Sequence, residues 1–394
     1  MFETQERFGA MKVEKKSTYV SNVIFLALCA IIIFGFGSAI FILPQQQVSE
    51  EENRSLATFP NFSLEELADG SFTSDIADFY ADQFPLRNNF VAFKAICELS
   101  LLKQENNGVI IGSNGYLIPR LEYSESALAK FNTNLDALSE LQQSAPFDLN
   151  IYIAPRSVDV NTSHLPVTFD PSRSAAVWDI LDSKNINYTD GRQTLRDLSS
   201  DGQYVWYKTD HHWTTLGAYH AYRDISALLS YTPSSPATFS KETVSESFLG
   251  TAYSSSGIRW ASPDTMEYFR FDGDDSFKTE IYSSSMKPLS SFDGFYDRSY
   301  LDTKDKYASF LSSNNAVTKV YDDSSDKPCL LIVKDSFANS VVPFLAQHYD
   351  LIILDMREYQ STISDFVSKN DIDDILILCG IDTLTSFDFR LILQ

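Results

Sequence analysis

Continuous apolar runs alternate with stretches of helical periodicity along much of the chain. Leu121 to Gln143 repeats its apolar residues at helical spacing, and Leu149-Asn-Ile-Tyr-Ile-Ala154 follows as a short apolar run. A second pair comes after it, Ala175 to Ser183 as helix and Ile186-Asn-Tyr188 as strand, and Thr215 to Leu229 is helical with Thr214 or Thr215 as its cap. The rhythm resumes late: strands at Cys329–Val333, Leu351–Leu354 and Ile375–Leu378, with helices at Ser340–His348 and Tyr359–Ser368 between and after them. Strands without polar alternation are buried on both faces, so the pattern predicts an α/β fold, a parallel sheet flanked by helices. Between residues 231 and 326 the chain turns to Ser, Thr, Asp, Tyr and Phe, which predicts a loop- and β-rich insertion. Earlier, Gly112-Ser-Asn-Gly115 marks a hairpin between two apolar triplets, and Ser63 with Glu66 forms a capping box.

The N-terminal region differs from all of this. From Val23 to Leu43 no charge interrupts the sequence, at the length needed to cross a bilayer. A cleaved signal would end near Gly37-Ser-Ala39, but the apolar run continues to Pro44, which favours an uncleaved anchor. Basic residues precede the span and Glu50-Glu-Glu52 follows it, so the N-terminus is expected in the cytoplasm and the bulk outside. The expected organisation is a cytoplasmic tail (1–18), a transmembrane helix (19–43), a tether (44–60) and an extracytoplasmic domain (61–394). The formal net charge is −22, and residues 1–18 carry +1 of it, so the acidity lies beyond residue 18, which argues against a nucleic-acid partner. Four scattered cysteines do not make a disulfide framework.

Candidate chemistry concentrates in Tyr204-Val-Trp-Tyr-Lys-Thr-Asp-His-His-Trp-Thr-Thr-Leu-Gly217, which holds two of five histidines and two of four tryptophans. In an extended segment Asp210 and His212 would project to one side and His211 to the other, so Asp210 could orient His212 as a base. The plainer alternatives are a surface turn or a metal pair, and adjacent histidines that point apart, with no cysteine or third histidine nearby, disfavour the metal. The second half is Lys334-Asp-Ser-Phe337, delivered by a strand to the sheet edge where ligands of open α/β folds sit. Ser336 there is placed as a nucleophile whose N–H could face an oxyanion, or is simply a helix cap.

Thr209-Asp-His-His-Trp-Thr214 with Gly217, and Val333-Lys-Asp-Ser-Phe337, resemble the DHHW proteins, which are similar to the SGNH-hydrolase-like proteins of alginate and other exopolysaccharide O-acetylation. The resemblance extends to Ser49-Glu-Glu-Glu-Asn-Arg54, Asp82-Gln-Phe-Pro-Leu-Arg87, Gly112-Ser-Asn-Gly-Tyr-Leu117 and Ala154-Pro-Arg156 before His164-Leu-Pro166. It implies an SGNH-hydrolase-like sheet and a permuted triad: Asp210 orients, His212 is general base and Ser336 is nucleophile. Two departures stand out. Lys334 occupies the place of a glycine, which could crowd or charge the site. Gly380-Ile-Asp382 faintly matches a Gly-x-Asn-Asp oxyanion block but lacks the Asn, leaving Gly380 as a weak oxyanion candidate. Trp213 is expected to pack beneath the histidine rather than touch substrate. Arg156 and Tyr253 lie on loops near the site without an assigned role.

The implied activity is acetyl transfer, through an acetyl-serine, onto a cell-surface polysaccharide or glycopolymer. A polytopic membrane O-acyltransferase would supply the acetyl group, and no cofactor or metal is implied. The alternatives are a carbohydrate esterase with the same triad, or a catalytically silent glycan-binding or scaffold protein whose aromatic-rich insertion stacks on sugars.

Overall fold

The computed structural model describes residues 19–120, 123–170, 172–324 and 326–393. The chain divides into two compact units, Met1–Lys94 and Ala95–Gln394. In the first, Tyr19–Ile42 is a 24-residue helix of mean hydropathy 2.7, long and apolar enough to cross a membrane. That makes it a candidate anchor or signal; the expected tail, 1–18, lies outside the described residues. The stretch 44–60 is pinned rather than loose. Val48–Ser49 pairs antiparallel with Arg54–Ser55. Arg54 then bonds Glu52 (2.8 Å) and Asp82 (2.8 Å), while Asp82 accepts the Ala57 N–H (2.9 Å). The acidic and basic residues of the two motifs around Arg54 and Arg87 thus form one network, since Arg87 also pairs with Glu52.

The second unit is built on an eight-stranded sheet. Its strands in chain order are β1 (Asn150–Ala154), β2 (Thr189–Asp190), β3 (Lys278–Tyr282), β4 (Pro288–Asp293), β5 (Val317–Tyr321), β6 (Cys329–Lys334), β7 (Asp350–Asp355) and β8 (Asp374–Gly380). The spatial order is β4-β3-β5-β7-β6-β8-β1-β2. The five strands from β7 to β2 run parallel, and the insertion adds β3, β4 and β5 antiparallel at the β7 edge. The fold is α/β, a largely parallel sheet flanked by helices, as expected, and part of the insertion extends that sheet while Ser240–Phe248 and Asp264–Arg270 pair as a separate hairpin.

The apolar runs have two buried faces. Leu330, Ile332, Leu376 and Leu378 enter one core with the helix Thr215–Leu229. Leu331, Val333, Ile375 and Ile377 enter the other, beneath Phe131, Leu135, Leu138 and Leu141 of the helix Glu125–Ser144. At about 25 cal/mol per Å² of apolar area, such double burial is what holds these strands central. Two elements differ from their sequence pattern. The second strand pairs at Thr189–Asp190 rather than Ile186–Tyr188, whose apolar side chains serve packing instead. The helix expected at Ser340–His348 is split into a 3₁₀ segment, Ser336–Ser340, and one turn, Val342–Leu345, because Pro343 has no N–H to continue a ladder and instead starts the second piece.

Many aromatics of the insertion turn inward, while Trp260 is exposed. Tyr268, Phe295, Tyr307 and Phe310 are buried against one another and the sheet.

Candidate active site

Parallel strands end on one edge, so the residues following β1, β6, β7 and β8 converge there: Arg156, Ser336, Arg357 and Asp382. They line a cavity of about 150 Å³ together with His211 and Thr383. Ser336, half-buried, is the first residue of the 3₁₀ segment, so its N–H has no acceptor within that segment.

The loop bearing Asp210 and His212 closes by local pairing. Trp206 and Trp213 form an antiparallel bridge, Thr214 N–H bonds Val205 O (3.0 Å) and Tyr207 N–H bonds His212 O (3.3 Å). Gly217 lets the following helix approach, since a Cβ there would lie 2.2 Å from Val205 O. Buried Asp264 holds the loop from outside, accepting the Lys208 N–H (2.9 Å), the Thr209 N–H (2.8 Å) and the Thr209 hydroxyl (2.6 Å).

Within this frame three side chains fall in line. Asp210 Oδ1 accepts the His212 backbone N–H (2.9 Å) and lies 2.6 Å from His212 Nδ1. His212 Nε2 lies 2.8 Å from Ser336 Oγ. The second Asp210 oxygen accepts the Thr251 N–H (2.8 Å) and hydroxyl (3.1 Å). Gly250 permits that contact: a Cβ would sit 2.2 Å from Asp210 Oδ2. Burial would raise the Asp210 carboxyl, but His211, His212 and the Thr251 N–H together hold it well below the carboxylate range. Burial, and then His211, lower His212 to about 4 against the opposing pull of Asp210, so the imidazole is neutral and able to accept a proton.

His211 does not point away from His212. The segment is a tight loop rather than a strand, and the two rings lie 3.8 Å apart, with His211 Nδ1 2.6 Å from the Thr251 hydroxyl. Asp210, His211 and His212 offer ligand atoms within 4.8 Å of one another, yet both His212 nitrogens and both Asp210 oxygens are already engaged as described. The ring stacked flat on His212 is Tyr307, at 3.9 Å and 6°, rather than Trp213. Trp213 is fully buried: it donates to Ser340 Oγ (2.9 Å) and meets Phe337 edge-on at 5.0 Å, so it supports the serine segment instead.

Lys334 does not enter the cavity. Its Nζ is buried, bonded to Asp355 (2.9 Å) and Asn314 (3.0 Å), and burial lowers its pKa against the pull of Asp355. Gly380 is at the right edge but is not a free oxyanion donor, because its N–H is spent on Asp335 Oδ2 at 2.7 Å. Asp335 also accepts the Phe337 N–H (2.9 Å) and the Thr383 hydroxyl (2.6 Å), tying the end of β6 to that of β8. Tyr253, unassigned from sequence, donates its N–H to Thr209 O (2.9 Å). Thr251, Gly250, Asp264 and Tyr307 carried no local signal, since each acts through a partner more than 35 positions away.

Residues 173–354 match the DHHW protein family. Over that stretch the chain resembles the DHHW proteins. A DHHW family protein from Eubacterium siraeum superposes with a TM-score of 0.60 at 20% identity, covering 73% of this chain and 95% of its own. Bacillus cereus PatB1, solved with a sulfonyl adduct, gives 0.59 at 16% identity over 72% and 98%. The O-acetyltransferase domain of Pseudomonas putida AlgJ is looser, 0.45 at 14% identity over 71% and 93%. No curated protein matches the sequence. At these identities the likeness of the first two to this chain establishes a shared fold.

Proposed function

We propose that this protein is a membrane-anchored, extracytoplasmic O-acetyltransferase acting on hydroxyl groups of a cell-surface polysaccharide or related glycopolymer. The observation that carries the reading is the unbroken line Asp210–His212–Ser336 opening on a cavity at the sheet edge. His212 Nε2 takes the Ser336 hydroxyl proton while Asp210 holds Nδ1–H and stabilises the imidazolium. The serine oxygen bonds to the acetyl carbon, the Ser336 N–H faces the developing oxyanion, and His212 returns its proton to the departing donor group. In the second half the acceptor hydroxyl gives its proton to His212, attacks the acetyl-serine and leaves as the ester, restoring Ser336. The sequence resemblance supplies the substrate class and the donor, a polytopic membrane O-acyltransferase. The apolar helix Tyr19–Ile42 is the anchor in this reading, with its N-terminus cytoplasmic.

An esterase would share every step but the last, where water replaces the sugar. Product analysis with a model acetyl ester, with and without oligosaccharide, separates the two. The silent-scaffold reading draws less support from the insertion than its composition suggests, since Tyr268, Phe295, Tyr307 and Phe310 are buried, while Trp260 is exposed. The direct test is polymer acetylation in strains carrying Ser336→Ala or His212→Ala. Loss in both is expected, and wild-type acetylation in either contradicts an enzymatic role.

A further inference from the structure

One feature of the cavity is not used by the three-residue line. Asp382, immediately after β8, presents its carboxylate there, and its Oδ1 accepts the hydroxyl of Tyr123. Tyr123 Oη in turn accepts Arg156 Nη1–H (2.9 Å). Arg156 is anchored behind it by Asp159, through Nε and Nη2 at 2.7 Å each, and by the Ser174 carbonyl. The chain of donors runs Arg156 to Tyr123 to Asp382, across three separate segments, and terminates at a carboxylate whose other oxygen has no hydrogen-bond partner among the described residues. Four of the five Arg156 N–H groups are spent in this network, which leaves one on Nη1, and Arg156 also lines the cavity. A buried ionic network of this kind costs desolvation, and it contributes little to stability compared with an apolar core of the same size. Its product is one acceptor oxygen and one N–H that the network does not use, on two residues that both line the cavity of Ser336.

We propose that Asp382 and Arg156 form the acceptor subsite and recognise a vicinal diol. The open Asp382 oxygen takes the hydrogen of one hydroxyl, and the remaining Arg156 Nη1–H donates to the oxygen of its neighbour. Adjacent hydroxyls are the repeating chemistry of a pyranose ring, so the subsite selects a sugar over a simple alcohol and over water. Burial and Asp159 push Asp382 up to about 6, against Arg156, Tyr123 and His211, so near neutral pH it is the carboxylate that accepts. This inference rests on the acyl-transfer reading.

The test is a competition at neutral pH with 4-nitrophenyl acetate as donor and equal concentrations of 1,2-propanediol, a vicinal diol, and its isomer 1,3-propanediol, whose hydroxyls are one carbon further apart. Wild type should acetylate 1,2-propanediol in preference, and Asp382→Asn should reduce that preference about tenfold, the worth of one charge-assisted hydrogen bond. Tyr123→Phe, which removes the hydroxyl between Asp382 Oδ1 and Arg156 Nη1 but leaves both groups in place, should reduce it partially and serves if the first variant does not fold. A sulfonyl fluoride label on Ser336 in each variant reports that fold and nucleophile survive. A labelled Asp382→Asn protein with wild-type selectivity overturns the subsite and leaves the serine reading standing, as does a labelled wild type without preference. No label on Ser336 in the wild type overturns the serine reading instead.

Discussion

Asp210 and Asp335 are both buried aspartates within two positions of a reactive group, and they have opposite uses. Asp210 spends one oxygen on the imidazole and the other on Thr251. Asp335, next to Ser336, spends both on backbone and hydroxyl donors of Phe337, Gly380 and Thr383. Proximity in sequence therefore does not decide which acid orients the base; the donors facing each oxygen decide it. One carboxylate fixes a proton, and the other fixes the backbone that carries the nucleophile.

Substitution separates these uses. Asp210→Asn keeps the shape but leaves His212 without an acceptor for Nδ1–H, so acetyl transfer should fall about a thousandfold or more. Asp335→Asn turns an amide NH₂ toward the Gly380 N–H, leaving donor against donor, at a cost of about 2 kcal/mol in a thermal or denaturant melt. Its effect on transfer should be much smaller than that of Asp210→Asn. Equal kinetic losses in the two variants would erase the distinction.

A smaller effect is expected with pH. His212 is buried neutral with its pKa lowered to about 4 from 6.5, so the unfolded chain binds a proton that the folded one refuses between those values. Stability therefore falls as pH drops through that window, by a contribution that His212→Gln removes. Transfer, which needs neutral His212, should hold to about pH 5 and fall below about 4. A rate that instead falls through 6.5 would mean an imidazole exposed to water rather than enclosed by Tyr307 and His211.

The sheet was legible because Cys329–Val333 and Ile375–Leu378 read as continuous apolar runs, and double burial is the only setting that tolerates them. The Asp-x-His spacing was legible as well, since Asp210 reaches His212 through local backbone. An extended segment would put His211 on the opposite side from His212, and the Trp206–Trp213 bridge makes it a loop instead. Thr251, Asp264 and Tyr307 were not legible, because each meets the loop only after the insertion has folded back. Lys334 read as a threat to the site, and only the register with β7 shows that Asp355 draws it away.

The central claim is that Ser336 is activated by His212 and that Asp210 sustains this. Treating the protein with a serine-directed sulfonyl fluoride and mapping the label by peptide mass spectrometry tests it directly, with Asp210→Ala alongside. The account predicts a single label on Ser336 in the wild type and a strongly slowed one in the variant. Labelling elsewhere, or at Ser336 with the same rate in both proteins, would contradict it.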